Sequence, residues 1–493
     1  MMEMHLPVLQ VIVPLLSAAI CFLLGRGKLP WMFATLVSWV TFAISILIAI
    51  QVSDGSTLQY ELGGWEPPWG ISYNVDQLNA LVLVIVSGIA AVVFPYALRS
   101  VEREIAPEQH GLFYTAMLLC FAGLLGITIT GDAFNVFVLL EISSLSTYTL
   151  ISLGKDRRAL TSSFQYLIMG TIGATFILIG IGLIYALTGT LNMADLAERI
   201  PQIESSRTLQ AAFAFIVVGF GLKLAMFPLH LWLPNAYAFA PSVVSAFLAA
   251  TATKVAVYAL LRFLFDVYDV NFTYEAMQVQ YLLIPLATVA ILFASIVAIF
   301  QNDVKRMLAY SSVAQIGYML LGIGLVNATG ITATLLHLFN HALMKGALFL
   351  ALGAVCYRIG RTSIQQMAGL GQQMPWTMAA FVVGGLSIIG VPLTAGFVSK
   401  WYLILGTLEN GWWPLTAAIL IASLLAVIYI WRVVEVAYFR ERPEGAPDVK
   451  EAPLSLLLPT WVLAAANIYF GVQTDFTVSF AKGAAASLLG GAP

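Results

Sequence analysis

Apolar residues run along this chain in long unbroken blocks, with little alternation and few charges inside them. About 20 apolar residues rising ~1.5 Å each are enough to cross ~30 Å of hydrocarbon. About fourteen blocks meet that rule, from one near residues 5–25 to one near 453–472. Several exceed the minimum, which allows tilt or a break. Lipid permits only helices or closed barrels, because the backbone must satisfy itself. Blocks that are continuous rather than alternating select helices. The pattern therefore predicts an all-α polytopic membrane protein with about 14 transmembrane helices and no soluble domain. The longest polar loops fall near 52–74, 190–208 and 440–452.

Composition sharpens this picture. Of 493 residues, 60% are hydrophobic and only 10% charged, against roughly 25% charged in an ordinary globular domain. The first block lacks a basic leader and an A-x-A-type site, so a cleavable signal peptide is not expected. Cys21, Cys120 and Cys356 lie in or at the end of separate spans, and no C-x-x-C occurs. Iron–sulfur or zinc ligation has no support, and no cofactor is expected. No basic stripe in a soluble portion suggests nucleic acid.

The placement of charge says more than its total. Lys223, Lys254, Lys345 and Lys400 lie inside spans. If the N-terminus is external, most other basic residues fall on the opposite side, Arg99, Lys155, Lys305, Arg306 and Arg440 among them. Only Arg199, Arg207, Arg262 and Lys482 fall on the external side. The positive-inside bias thus predicts a multi-pass protein of the cell (inner) membrane with both termini external. Among acids, only Glu141 sits well inside a span. Asp76 and Asp132 stand at helix starts, where a cap is expected. Glu435 stands one turn from Arg432 and is expected to pair with it.

An ionisable group at mid-bilayer costs at least ~2.5 kcal/mol to insert and is functional by default. Four lysines and one glutamate, all ionised, would leave net positive charge buried. Removing an ammonium from water favours its neutral form, so some of these lysines are expected to exchange protons. Lys223 and Lys254 are each about twelve residues, or ~18 Å, from a helix start, too deep to reach a head group. Lys254 is expected mid-span among small residues that let helices and water approach. In LLHLFNHALMKGALFL, His337, His341 and Lys345 are spaced i, i+4, i+8 on one helix face. Histidine titrates near neutral pH, so the face reads as a proton relay.

FGLKLAMFPLHLWLP combines Lys223 with Pro228. Pro228 cannot donate to the Leu224 carbonyl, so a break is expected there, opening a polar gap beside the lysine. His230 lies just beyond. GGLSIIGVPLTAGFVSKW repeats the idea: Pro392 frees the Ile388 carbonyl, and Lys400 follows. Two interrupted spans in two halves predict inverted repeats around a midplane ion site.

The stretch KLAMFPLHLWLPNAYAFAPSVVSAFLAATATKVAVYALLRF, with DVKRMLAYSSVAQIGYM, HLFNHALMKGALF and LLEISSLSTY, resembles the antiporter-like proton-channel subunits. These occur in the membrane arm of respiratory complex I, in membrane-bound hydrogenases and in Mrp multisubunit cation/proton antiporters. LGGWEPPWGIS at 62–72, the length, and no long lateral helix are most similar to the D-type branch of the Mrp antiporters. The resemblance implies fourteen helices, with broken seventh and twelfth. It implies helices 1–3 in residues 1–108, a five-helix repeat in 109–266, an inverted copy in 276–440, and a last helix in 453–473. Glu141 matches the fifth-helix acid that pairs with a seventh-helix lysine, here Lys223. Lys254 matches a central eighth-helix lysine. His337, His341 and Lys345 match the eleventh-helix relay, and Lys400 the terminal lysine of the twelfth. Asn235 and Tyr237 depart from the aspartate and histidine often found at those positions, which removes two titratable groups. The implied function is the proton-translocating subunit of a multisubunit Na+/proton antiporter, a transporter rather than an enzyme. Its implied partners are a larger homologous subunit and several small hydrophobic ones. The alternative is a proton-pumping subunit of a complex I-like or hydrogenase-type oxidoreductase. A hard cation wants several oxygen ligands, so sodium is expected to cross outside this lysine-lined path.

Overall fold

The computed structural model describes residues 5–360, 362–442 and 448–490. The chain opens with α1 (Leu6–Leu23) and α2 (Leu29–Gln51), then a hairpin of β1 (Leu58–Glu61) and β2 (Ser72–Val75). Leu58 pairs with Val75 and Glu61 with Ser72 in antiparallel register. Next come α3 (Gln77–Glu104), α4 (His110–Ile129), α5 (Ala133–Ser152), α6 (Arg158–Thr188) and the short α7 (Met193–Arg199). The interrupted pair α8 (Arg207–Lys223) and α9 (Trp232–Phe239) precedes α10 (Ser242–Ala250) and α11 (Ala252–Leu261). Then follow α12 (Gln280–Ile299), α13 (Val304–Gly324), α14 (Ala328–Ile359) and the single turn α15 (Leu370–Gln373). A second interrupted pair, α16 (Pro375–Ile389) and α17 (Ala395–Glu409), leads to α18 (Trp413–Phe439), α19 (Leu454–Val472) and α20 (Asp475–Leu488).

Twelve helices among the described residues are long and apolar enough to cross a membrane, the α10–α11 run counting as one. The two interrupted pairs add two further crossings. This is the all-α polytopic architecture expected from the apolar blocks. Two elements lie outside that expectation. The hairpin occupies the loop near 52–74, and α20 is a short amphipathic helix after the last span. Thr477, Phe480, Ala481, Ala484 and Leu488 form its buried stripe at i, i+3, i+4, i+7 and i+11.

Caps fix where several helices start. Asp76 and Asn79 form a reciprocal capping box on α3. The Asp132 carboxylate accepts from Asn135 N–H at the head of α5, and Asp303 accepts from Arg306 N–H at the head of α13. The same closures recur in two places. Ala133 N–H bonds Leu191 O and Met193 N–H bonds Gly131 O; Val304 N–H bonds Thr362 O and Ile364 N–H bonds Asn302 O. Asp132 bridges Asn192 as Asp303 bridges Ser363. Gly189 ends α6 and Gly360 ends α14, both left-handed. Each pair, 132 and 303, 192 and 363, 189 and 360, is separated by the same 171 residues.

α14 is the centre of the molecule. Every residue from Gly330 to Val355 is buried, and α3, α10, α13, α16, α17, α19 and α20 all pack on it. α6, α12 and α18 form the rim and turn apolar side chains outward, among them Phe164, Phe293 and Leu424. The titratable groups on α14 are thus held in the most enclosed part of the bundle.

Two local expectations are corrected. Glu435 pairs with Arg440 at 3.1 Å, not with Arg432. The Arg432 guanidinium instead donates to the Gln301 carbonyl past the C-terminus of α12, where unpaired carbonyls attract a cation. Arg262 is not a loop charge. It is buried, clamped between Asp76 and Asp266 at 2.5 Å each.

Candidate functional site

The first break comes earlier than the proline. α8 ends at Lys223, and Ala225 takes a left-handed φ of 61° before Pro228 is reached. The Leu222 carbonyl accepts from the Trp232 indole at 3.0 Å. Trp232 is fixed by stacking on Tyr166, with ring centroids 3.8 Å apart and planes 1° from parallel. Lys223 is therefore the last helical residue, and its ammonium is free to leave its own helix. It reaches α5, donating to Glu141 Oε1 at 3.2 Å and to Ser144 Oγ at 2.9 Å. The Lys223 side chain is 5% exposed and that of Glu141 23%. Beyond the break His230 is buried and stacks on Phe227.

The second break is closed by a lysine. α16 ends at Gly390, φ 87°. Lys400, on α17, donates back to the carbonyls of Ile388 and Ile389 at 2.9 and 3.0 Å and to Ser423 Oγ of α18 at 3.0 Å. Its ammonium also lies 4.9 Å from the centre of the Tyr318 ring, a cation–π contact.

On α14 the rings of His337 and His341 stand 5.8 Å apart and 7° from parallel, the geometry that i, i+4 spacing gives on one face. His337 Nδ1 lies 2.9 Å from Ser399 Oγ, the neighbour of Lys400. Tyr318 meets the His337 ring edge-on. So His341, His337 and Lys400 form one connected group through Ser399 and Tyr318, two residues that no pattern in the sequence singles out. Among the described residues, His337 Nε2 and both His341 nitrogens are buried without a protein partner. Such atoms call for water, and a hydrated line is what a relay needs.

Lys254 and Lys345 are placed differently. Lys254 is expected mid-span, but the eighth span is itself interrupted at Thr251, with φ −125° and ψ −57°. Lys254 sits in the first turn of α11 and donates to the Ala249 carbonyl freed by that interruption, and to Thr253. Neither glycine nor proline marks this break; the only local signal is the small, β-branched run TATK. Lys345 donates to Leu308 O at 2.7 Å and Ser311 Oγ at 2.6 Å on α13. Among the described residues no hydrogen bond links either lysine to the next titratable group. Sequence reasoning also misses the Asp76–Arg262–Asp266 cluster, because each member lies in a loop or at a helix end. Tyr237, one of the departures from the family pattern, is buried and bonds the Leu248 carbonyl at 3.2 Å.

Residues 130–426 match the NADH:quinone oxidoreductase/Mrp antiporter, TM family. The chain belongs to that family. It is 42% identical to the N-type subunit of an NADH-quinone oxidoreductase from Desulforudis audaxviator, over 97% of this chain and 98% of that one. It is 29% identical to the D-type subunit of a Na(+)/H(+) antiporter from Bacillus subtilis, over 98% and 97%. Among solved structures it is similar to a chain of the Mrp complex from Dietzia sp. DQ12-45-1b, with a TM-score of 0.91 and 26% identity over 99% and 98% of the two chains. A chain of an archaeal membrane-bound sulfane sulfur reductase superposes with a TM-score of 0.88 and 31% identity, over 98% of each.

Proposed function

We propose that this chain is the proton-translocating subunit of a multisubunit Na+/proton antiporter, as its D-type relatives are named. The observation that carries the reading is the buried Lys223–Glu141 pair at a helix break, together with the connected His341–His337–Lys400 group. A static scaffold gains nothing from such groups, since each costs free energy to bury. Glu141 modulates the protonation of Lys223 electrostatically. The proton moves laterally from Lys223 past Lys254 to the α14 face of Lys345, His341 and His337, and on to Lys400. Water bridges the gaps that side chains leave. Sodium crosses elsewhere, at an interface with a partner. The Glu141-dependent pair offers one carboxylate, too few oxygens for a hard cation.

Residues 109–266 and 276–440 form two inverted repeats in this reading, with 1–108 before them and 453–473 after. The constant 171-residue separation of caps, bridges and left-handed helix ends supports that division. Both termini face the exterior, in line with the basic loops.

A second reading has its own support: the 42% identity to the N-type subunit of an oxidoreductase. There the same residues would carry a redox-driven proton, and only the partners differ. Gentle purification from native membranes with mass spectrometry of what comes along separates the two. Small cofactor-free membrane proteins with one larger homologue support the antiporter. Iron–sulfur or flavin subunits overturn it in favour of the redox-linked pump. Tight, Glu141-dependent sodium binding by the purified chain would overturn the separate sodium path.

A further inference from the structure

The Arg262 cluster borders a cavity that the relay described above does not use. The cavity encloses about 400 Å³ among α3, α4, α5, α7 and the end of α11. Thr57 and Ala194 on its lining are exposed, so it opens at the membrane face that carries Asp76. Its polar wall includes Asn74, Asp76, Asn79, Tyr258, Arg262 and Asp266. Arg262 is held by two carboxylates, so with all three ionised the wall is net acidic and does not repel cations.

Behind it lies a second cavity of about 30 Å³, lined by Lys223, Ser143, Ser144 and Thr147. A water needs ~10–15 Å³ of such space and two to four polar partners; this cavity supplies both. The two cavities share two lining residues, Ile127 of α4 and Ala259 of α11. Nothing else is common to both linings. Lys254 does not use this route, because its ammonium turns back to Ala249, away from Tyr258 and Arg262.

We propose that the large cavity is an aqueous vestibule giving protons access to Lys223 from the Asp76 face, closed by a septum of Ile127 and Ala259. An apolar constriction excludes water when narrow and passes it when its side chains part. The vestibule makes Lys223 an entry or exit point in its own right, not only the first station of a lateral path. Its purpose rests on the proton-carrier reading of Lys223, but its existence is tested without transport.

The test is thiol labelling of the assembled complex in vesicles of both orientations, with Cys21, Cys120 and Cys356 replaced by serine. Single cysteines are placed as Ala194→Cys on the rim, Val136→Cys in the vestibule and Ala256→Cys in the Lys223 cavity. The probe is a small cationic methanethiosulfonate. Ala194→Cys and Val136→Cys should react from the same side only. Ala256→Cys should react slowly from that side, and about tenfold faster with Ile127→Ala, as for a barrier lowered by ~1.4 kcal/mol. An inert Val136→Cys beside a reactive Ala194→Cys overturns the vestibule. Labelling of Ala256→Cys from the opposite face, or no response to Ile127→Ala, overturns the septum. If the cysteine-free chain fails to assemble, the same substitutions go into the native background, where Cys21 and Cys120 are wholly buried and the unsubstituted complex supplies the Cys356 baseline. Loss of transport in a Lys223 variant with unchanged labelling, or the converse, keeps the two readings separate.

Discussion

At the α8/α9 break the exposed carbonyl of Leu222 is taken by Trp232, and Lys223 is left to face an acid on another helix. At the α16/α17 break the carbonyls of Ile388 and Ile389 are taken by Lys400 itself, and no carboxylate stands near. Both breaks solve the problem that any unwound backbone meets in lipid: its carbonyls need donors. The first divides the work, with an indole for the backbone and a lysine for the charge. The second gives both tasks to one side chain. A lysine paired with a carboxylate has its charge answered by a charge. A lysine held by dipoles and an aromatic face trades hydrogen bonds whenever its proton leaves, so backbone geometry and protonation are coupled at the second break and separable at the first.

The largest expected effect follows from that coupling. Lys400→Met should abolish cation-dependent proton movement in vesicles and also lower the thermal midpoint of the complex. Two buried carbonyls lose their donor, at about 1–3 kcal/mol each. Lys223→Met should abolish transport as well, with a smaller loss of thermal midpoint, because Trp232 still caps Leu222. Equal midpoints for the two variants would break the comparison. Wild-type transport in either would end the relay assignment.

Next in size is the acid. Glu141→Gln leaves the Lys223 cation without a counter-charge, and breaking a buried pair from one side costs as much as ~3–5 kcal/mol. The cost should fall short of that, since Glu141 is 23% exposed and Ser144 still accepts. Transport should fall severely while the complex still assembles. The double variant Glu141→Gln/Lys223→Met should recover part of the lost midpoint, by coupling in a double-mutant cycle. No such second-site recovery exists for Lys400→Met, whose partners are main chain and a serine. A strictly additive cycle would show that Glu141 and Lys223 do not act as a pair.

What is legible in the chain follows the same division. The spans can be read because apolar length is a property of each segment alone. Pro392 and Lys400 give the second break closely, since the freed Ile388 carbonyl and its donor lie twelve residues apart on one span. The first break reads a few residues late. Its helix ends at Lys223 through the left-handed Ala225 and the Trp232 bond, and neither is announced by a residue type. The Thr251 interruption beside Lys254 is not legible at all, because no proline or glycine marks it. Arg262 reads as a loop charge, since its partner Asp76 is 186 residues away and only the fold brings them together. The 171-residue repeat of caps and bridges is hidden for a similar reason: it preserves backbone closures, with Asn192 in one place and Ser363 in the other.

A smaller effect tests how each break turns its backbone. Gly390 takes φ 87°, where an added Cβ would approach Lys400 Cδ to 2.9 Å. Gly390→Ala should therefore cost about 1–2 kcal/mol from the left-handed conformation, and more if Lys400 is displaced, with transport falling alongside. Ala225 already occupies that region at φ 61° and is fully buried. Ala225→Gly should relieve strain of the same order but lose a buried methyl worth ~0.8 kcal/mol and gain unfolded-state freedom. Its net effect should lie near zero. A strongly stabilised or inactive Ala225→Gly variant would show that the first break, too, couples backbone to charge.

The smallest effect is the sharpest check on the division of labour. Trp232→Phe keeps an aromatic face for Tyr166 but removes the indole N–H from the Leu222 carbonyl. That carbonyl still accepts from Ala225 N–H at 3.3 Å, so the cost should stay at or below ~1 kcal/mol. Lys223, Glu141 and Ser144 lose no partner. Transport should remain within about threefold of wild type, a barrier change under ~1 kcal/mol, while the thermal midpoint falls slightly. If transport collapses instead, the indole is positioning Lys223 through the carbonyl it caps, and the first break works as the second does.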